Sequence, residues 1–161
     1  ADLVALLDDV FTSFDSLVEE RALEKIKTIG DAYMVASGVP VRRSDHAHVL
    51  CDLALAFLEE LTNRSFRGER VTLRIGIHSG EVVAGIIGTK RFSYDLWGDA
   101  VNTASRMESG GSPGTIQITE QTKQLVEDAF VCESRGPVDV KGKGPMEVWH
   151  LKGRRPSSAR V

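Results

Sequence analysis

One stretch of the chain places a carboxylate, an amide and a guanidinium close together in sequence. Asp95 lies in a short aromatic and apolar run that Gly98 interrupts, and the pattern that follows over residues 100–108 is helical. On that helix Asn102 and Arg106 stand at positions i and i+4, so their side chains project together. An anionic acceptor beside an amide and a cation on a rigid helix could bind a nucleotide. A capped surface helix with a solvated polar face explains the same stretch about equally well.

The elements that must position these groups are a strand and an amphipathic helix. Residues 92–97 have the aromatic and apolar content of a strand, and Asp99 is predicted to be the N-cap of the helix. At about 100° per residue, the helix turns its apolar side chains away from Asn102 and Arg106. The apolar face consists of Ala100, Ala104 and Met107. We therefore expect a buried apolar face and an exposed polar face.

Charged residues in one strand and two turns are further candidates. Lys25 and Lys27 alternate with other residues, so both are predicted to leave one face of a strand. Asp31 follows Gly30 at a predicted hairpin turn. The turn over residues 141–144 contains two lysines and two glycines, which let backbone and ammonium groups approach an anion. Solvated lysines, an ordinary turn aspartate and a basic β-turn are the alternatives.

The rest of the chain alternates helical and strand patterns and predicts one domain of mixed class. Asp45 is a candidate cap for the second helix. Helical patterns cover residues 3–18, 49–61 and 120–129. Strand patterns cover two segments within residues 24–38, and residues 71–78, 115–119, 130–134, 138–140 and 146–151.

Composition argues against several classes of protein. With 161 residues and a net charge of −3, the chain can bury one core and has no basic surplus for binding nucleic acid. No apolar run approaches the length of a membrane span, and no signal-peptide pattern is present. Cys51 and Cys132 are far apart and share no metal-ligand spacing with the histidines, which favours buried thiols in a reducing compartment.

Four segments together resemble the class III adenylate and guanylate cyclase catalytic domain. They occur in the family's order, they span nearly the whole chain, and the third is highly specific. The segments are Lys25-Ile-Lys-Thr-Ile-Gly-Asp-Ala-Tyr-Met34, Leu73-Arg-Ile-Gly-Ile-His-Ser-Gly80, Tyr94-Asp-Leu-Trp-Gly-Asp-Ala-Val-Asn-Thr-Ala-Ser-Arg-Met107 and Val140-Lys-Gly-Lys-Gly144. The resemblance implies an α+β catalytic domain over residues 1–153, with a ferredoxin-like βαββαβ core, a mostly antiparallel sheet and flanking helices. Residues 154–161 are expected to form a disordered tail.

The resemblance also implies roles for individual residues in the cyclisation of a nucleoside triphosphate. Lys27 and Asp95 would read the purine, and Asn102 would orient the ribose. Arg106 would stabilise the charge of the phosphorane-like transition state, and Lys141 would hold the terminal phosphates. The ribose 3′-hydroxyl would attack the α-phosphorus and pyrophosphate would leave, assisted by two Mg²⁺ or Mn²⁺ ions in the complete active site.

Asp31 matches one of the family's two metal-binding aspartates. In a family-like head-to-tail homodimer it would face the other five residues, contributed by the partner subunit. The family's second metal aspartate lies on an upstream first strand with a pattern like Phe-x-Asp-Ile-x-Gly-Phe-Thr, which nothing in the chain matches. We therefore expect that the first strand is missing, that metal binds weakly and that this fragment is inactive on its own. We also expect it to be monomeric, or to associate by strand exchange or another non-family contact.

The two purine-reading positions favour ATP over GTP. The Lys27 ammonium can donate to N1 of adenine, and Asp95 can accept from its 6-amino group. Guanine has the opposite polarity at those atoms, and guanylate cyclases of the family typically carry Glu and Cys there. A guanylate cyclase remains one alternative, and a catalytically inactive cyclase-like module for dimerisation or regulation is another. The domain is expected to be cytoplasmic, and membrane anchoring of a parent protein is left open.

Overall fold

The helices and most of the strands follow the sequence patterns in order and type, whereas the strand at Val83–Ile87 was not predicted. The computed structural model describes residues 2–87 and 93–156. The helices are α1 (Leu3–Glu20), α2 (His46–Asn63), α3 (Asp99–Ser109) and α4 (Glu120–Val126). The strands are β1 (Glu24–Ile29), β2 (Ala32–Ala36), β3 (Ile75–Ile77), β4 (Val83–Ile87), β5 (Ser93–Trp97), β6 (Ile116–Thr119), β7 (Phe130–Val140) and β8 (Gly144–Arg154).

Within the described residues, the strands form one four-stranded sheet and two two-stranded sheets. The larger sheet has the order β3-β6-β8-β7, in which β3 and β6 are parallel and the other pairs are antiparallel. The pairs β1-β2 and β4-β5 are antiparallel. Antiparallel pairing therefore dominates, and the helices pack around the sheets, which confirms the predicted α+β class. None of the helices in the described ranges combines the length and the apolar character that a membrane crossing requires.

An aromatic cluster fixes the β1-β2 hairpin against α1 and α2. Phe14 of α1 is fully buried, and its ring stacks on Phe57 of α2 at a centroid distance of 3.9 Å. Tyr33 of β2 meets these two rings edge-on, at centroid distances of 5.7 Å and 5.9 Å. Such pairs stabilise a fold by about 0.5–1.5 kcal/mol beyond the area that they bury. The Tyr33 hydroxyl also donates a hydrogen bond to Asp15 of α1. The hairpin that carries two of the candidate site residues is therefore held on a rigid base.

The strand predicted over residues 71–78 is shorter in the structure, where β3 spans Ile75–Ile77. The cause is the parallel pairing with β6, which begins at Ile116. The residues before β3 lie beside a turn instead of a strand, and the Gly114 N–H donates to the Leu73 carbonyl at 2.7 Å. Periodicity alone could not show that the neighbouring strand begins only at this point.

Two other local predictions are corrected. The separate strands predicted at residues 130–134 and 138–140 form one strand, β7, with a register shift between Ser134 and Gly136, where Gly136 has a positive φ of 83°. Asp45 does precede α2, but its side chain makes no capping hydrogen bond. The Asp45 carboxylate instead accepts from the Arg43 guanidinium at 2.6 Å and 3.0 Å.

Arg154 and Arg155, which were predicted to begin a disordered tail, make hydrogen bonds within the fold. Arg154 ends β8, and its guanidinium donates to Asp52 and Glu59 of α2 at distances between 2.6 Å and 3.0 Å. Arg155 donates to the Glu127 carbonyl at 2.7 Å. The predicted start of a tail at residue 154 is therefore wrong, and residues 157–161 lie outside the described residues.

The backbone of α3 lies directly over Gly76 of β3. A Cβ atom at residue 76 would come within 2.1 Å of the Glu108 nitrogen and 2.7 Å of the Ala104 carbonyl oxygen. These are backbone atoms, so the helix would have to move to admit a methyl group. The close approach sets the height of α3 above the sheet, and with it the position of every side chain that α3 presents.

We predict that Gly76→Ala destabilises the protein by about 2–3 kcal/mol, because overpacking at a backbone contact forces a helix to shift. Urea unfolding of the variant and the wild type measures the difference. Gly153→Ala is the matched control, since a Cβ there meets nothing within 4 Å and its φ is not positive. Equal unfolding midpoints for the two variants would contradict the proposed contact.

Candidate functional site

An ion pair between β1 and β5 joins two of the candidate site residues. The Lys27 ammonium donates to the Asp95 Oδ2 at 2.8 Å, and the Leu96 N–H donates to the other carboxylate oxygen at 2.8 Å. The Asp95 side chain is only 12% exposed, whereas that of Lys27 is 40% exposed. The bonds from Lys27 and from the Leu96 backbone lower the pKa of Asp95 below its ordinary value, so the carboxylate is ionised at neutral pH. The pair thus offers a fixed anionic acceptor next to a more accessible cationic donor.

A bulge in β1 decides where the two strand lysines point. The register with β2 shifts between Lys25 and Lys27, so the simple alternation predicted for this strand fails at Ile26. Lys25 pairs with Asp15 of α1 at 2.9 Å. Lys27 pairs with Asp95 of β5, so the prediction that both lysines leave one face is wrong. Because of the bulge, Lys25 pairs with α1 and stabilises the fold, whereas Lys27 lies in the candidate site.

The turn between β5 and α3 is built on Gly98. Gly98 has a φ of 127°, and its carbonyl accepts from the N–H groups of Val101 and Asn102. Gly98 therefore occupies the N-cap position predicted for Asp99, which is the first helical residue and caps nothing with its side chain. A carboxylate in the first turn of a helix is stabilised by the helix dipole. The Asp99 carboxylate also pairs with the ammonium of Lys143.

The two faces of α3 are those that the sequence predicts. Ala100 and Met107 are buried, together with Thr103, and Asn102 and Arg106 are exposed. Within residues 2–87 and 93–156, the side chains of Asn102 and Arg106 form no hydrogen bond or ion pair with protein. The helix thus presents an amide and a guanidinium that are available to a ligand.

Lys141 lies in the tight turn that connects β7 to β8. The Lys143 N–H donates to the Val140 carbonyl at 2.8 Å, and Gly142 and Gly144 have positive φ values of 81° and 74°. The ion pair between Lys143 and Asp99 holds this turn beside the start of α3. Lys141 itself is exposed. Sequence reasoning missed the part played by Lys143 because Asp99 was interpreted as a cap.

Asp31 is exposed in the turn between β1 and β2, immediately after Gly30, which has a φ of 57°. Within the described residues there is no group of three or more His, Cys, Asp or Glu side chains that could hold a metal ion. Mg²⁺ requires about six oxygen ligands, and one turn carboxylate does not supply them. The described residues therefore do not by themselves fit the predicted two-cation site, and the role of Asp31 stays a prediction.

The structure joins the other candidates through the β5–α3 segment. Asp95 is on β5 and contacts Lys27. Asn102 and Arg106 follow on α3. The turn that carries Lys141 is joined to the first residue of α3 by an ion pair. A donor and acceptor pair thus lies at one end of this segment, with cationic groups further along it and in the adjoining turn. This combination suits a ligand that has a hydrogen-bonding ring at one end and negative charge at the other.

Comparison with known proteins gives matches along nearly the whole chain. A family model described as the adenylate and guanylate cyclase catalytic domain matches residues 1–153. An adenylate cyclase of Mycobacterium tuberculosis is 50% identical over 160 residues, which cover 96% of this chain and 35% of that protein. The receptor-type guanylate cyclase gcy-28 of Caenorhabditis elegans is 46% identical over 156 residues, which cover 94% of this chain and 12% of that protein. The chain therefore spans much less than two thirds of either relative, and the two relatives are named for different nucleotides.

A solved structure agrees with the fold. The guanylate cyclase domain of RhGC from Catenaria anguillulae, in complex with GTP, has a TM-score of 0.91 and 36% sequence identity to this chain. The superposition covers 96% of this chain and 85% of that one. The similarity confirms the ferredoxin-like α+β class that the sequence predicts.

Proposed function

Because the chain belongs to the adenylate and guanylate cyclase catalytic-domain family, we propose that it is an adenylate cyclase domain that converts ATP to 3′,5′-cyclic AMP and pyrophosphate. The observation that carries this proposal is the 2.8 Å ion pair between Lys27 and Asp95. It is formed within one chain, between residues that are far apart in sequence. The Lys27 ammonium is its donor and the Asp95 carboxylate its acceptor, and a donor and an acceptor at these positions would distinguish adenine from guanine.

The hydrogen-bonding pattern of adenine fits this pair. Asp95 is ionised and accepts only, so it suits the 6-amino group of adenine. One N–H of the Lys27 ammonium is used by Asp95, and the others are left to donate to N1. Guanine presents an N1–H donor and an O6 acceptor at these atoms. The Lys27 ammonium would therefore face another donor, and the Asp95 carboxylate another acceptor. Buried polar groups without partners reduce kcat/KM strongly, and ATP is therefore the proposed substrate.

The proposed chemistry is the attack of the ribose 3′-hydroxyl oxygen on the α-phosphorus. A bond forms between these two atoms, the hydroxyl proton passes to water, the bond from the α-phosphorus to the bridging oxygen breaks, and pyrophosphate leaves with that oxygen. Asn102 orients the ribose, and Arg106 neutralises the charge that accumulates on the α-phosphoryl oxygens in the transition state. Lys141 holds the terminal phosphates.

Divalent cations and a second protomer complete the proposal. Mg²⁺ or Mn²⁺ is the proposed cofactor, with Asp31 as one ligand and the remaining oxygens supplied by the triphosphate, by water and from outside the described residues. The proposed assembly is a head-to-tail homodimer in which Asp31 of one protomer faces the other site residues of its partner. The exposed position of Asp31 at a hairpin turn is compatible with such a contact.

A guanylate cyclase is the second candidate function. It is favoured by the 46% identity to gcy-28 and opposed by Lys27 and Asp95, which have the wrong polarity for guanine. An inactive dimerisation or regulatory module is the third. It is opposed by the presence of all six candidate residues, since an inactive domain has no chemical need for the complete set.

An assay of both nucleotides tests the proposal. This 161-residue chain and the longest native polypeptide that contains it are each supplied with ATP or GTP and Mn²⁺, and cyclic AMP and cyclic GMP are measured. We predict that the longer polypeptide has a kcat/KM for ATP at least about 10²-fold above that for GTP, given the cost of unpaired polar groups. We predict no product from the shorter chain, because Asp31 alone is a poor cation site. Comparable turnover of the two nucleotides would overturn the proposed specificity.

A further inference from the structure

The turn of α3 that carries Arg106 rests on a buried glutamine of β6. Gln117 is 1% exposed, and its neighbours in the sheet are Gly76 of β3 and His150 of β8. Its Nε2 donates to the Met107 carbonyl at 3.1 Å. A buried amide is costly unless its donors and acceptors are paired, so this bond indicates a specific position for the end of α3.

The other end of the same amide is paired as well. The Oε1 of Gln117 accepts from the guanidinium of Arg135 on β7. Arg135 also donates to the Gly110 carbonyl at 2.9 Å, and the Gly110 N–H donates to the Arg106 carbonyl at 2.9 Å. The last carbonyls of a helix have no partner within the helix, and here two of the carbonyls at the end of α3 are bound from the sheet. The backbone that directly follows Arg106 is thus connected to β6 and β7.

We propose that Gln117 is a positioning residue for catalysis and that it acts through Arg106. Its bond to the Met107 carbonyl sets the rotation of the last turns of α3, and so sets where the guanidinium meets the reacting phosphate. The inference rests on the proposed role of Arg106 but does not depend on which purine is bound. A misplacement of about 1 Å in a catalytic group can cost as much as 10²-fold in rate.

The geometry distinguishes this role from ordinary core packing. Gly76 fixes the distance of α3 from the sheet by contact, but a contact with a glycine does not fix the rotation of the helix. A hydrogen bond to a specific carbonyl is directional, so the bond from Gln117 does fix the rotation of the helix. Loss of this bond should therefore affect the step in which Arg106 acts more than it affects nucleotide binding.

A double-mutant cycle between Gln117 and Arg106 tests the proposal, using the longest native polypeptide that contains the chain. Gln117→Met keeps the volume and removes both hydrogen bonds of the amide. We expect it to lower kcat about tenfold with KM nearly unchanged, because a small displacement of Arg106 weakens transition-state contacts. In an Arg106→Ala background the same substitution should have almost no further effect on kcat. Gln124→Met is the control, since Gln124 is exposed on α4 and its side chain donates to Glu120 of its own helix. It should leave kcat unchanged.

Each other outcome has a definite meaning. A tenfold loss of kcat that recurs in the Arg106→Ala background, or a loss of thermal stability with kcat unchanged, would overturn the proposal and leave Gln117 a structural residue. If Gln117→Met does not fold, Arg135→Met carries the same cycle, because it removes the donors to Gln117 and Gly110 from an exposed position. If the wild-type enzyme turns over neither ATP nor GTP, the proposed function itself fails, and the role of Gln117 fails with it.

Discussion

Replacing Lys27 with Glu and Asp95 with Cys in the same chain is expected to change the preferred nucleotide from ATP to GTP. The double variant places an acceptor where guanine presents its N1–H and a weak donor where it presents O6. We expect kcat/KM for ATP to fall by at least about 10²-fold, because the 6-amino group and N1 of adenine would both lose their partners. The ratio of the two kcat/KM values, measured for each nucleotide with Mn²⁺, reports the change.

The two substitutions are expected to succeed only together. Lys27→Glu alone would place a second carboxylate where the ammonium now lies 2.8 Å from Asp95. Two carboxylates at that separation do not both ionise readily, and the pKa of one of them rises. The single variant should therefore lose activity with both nucleotides. Asp95→Cys alone removes the acceptor but keeps the ammonium, so it should lower turnover of ATP without creating a site for GTP.

Lys25→Glu is the matched control for this exchange. It places the same change of charge two residues away on the same strand, but Lys25 contacts Asp15 of α1 instead of Asp95. It should cost some stability and leave the nucleotide ratio unchanged. A double variant at Lys27 and Asp95 that keeps the wild-type ratio would show that these residues do not read the purine.

The sequence predicts the parts of the site that depend on local periodicity. The polar face of α3, with Asn102 and Arg106 exposed and Met107 buried, follows from a helical repeat of 3.6 residues and is confirmed. The position of Asp31 in a turn follows from the preceding glycine in the same way. These features require only residues near one another in the chain.

Features that depend on distant partners could not be predicted in this way. The bulge that separates Lys25 from Lys27 appears only when β1 pairs with β2. In β6 the alternation of isoleucine with Gln117 suggests one exposed face, but all four residues of the strand are buried, and Gln117 lies against the end of α3. Arg154 was predicted to lie in a disordered tail because its partners, Asp52 and Glu59, lie about a hundred residues earlier.

Arg106→Ala is expected to lower kcat by at least about 10²-fold with little change in KM. The guanidinium is exposed on a rigid helix, so it is free to meet a phosphoryl group whose charge increases in the transition state. An interaction made chiefly in the transition state raises kcat without tightening substrate binding. Alanine is the best helix former, so α3 should remain folded and the loss should not reflect unfolding.

Two further variants make this prediction specific. Ser105→Ala changes the neighbouring exposed residue of α3 and should leave both kinetic constants close to those of the wild type. Arg106→Lys keeps a positive charge but lacks the planar fork that binds two phosphoryl oxygens, so it should restore only part of the lost kcat. Initial rates measured over a range of ATP concentrations separate kcat from KM for each variant. A rise in KM with kcat preserved in Arg106→Ala would instead identify Arg106 as a residue that binds the ground-state nucleotide, because its contact would then be equally strong before and during the reaction.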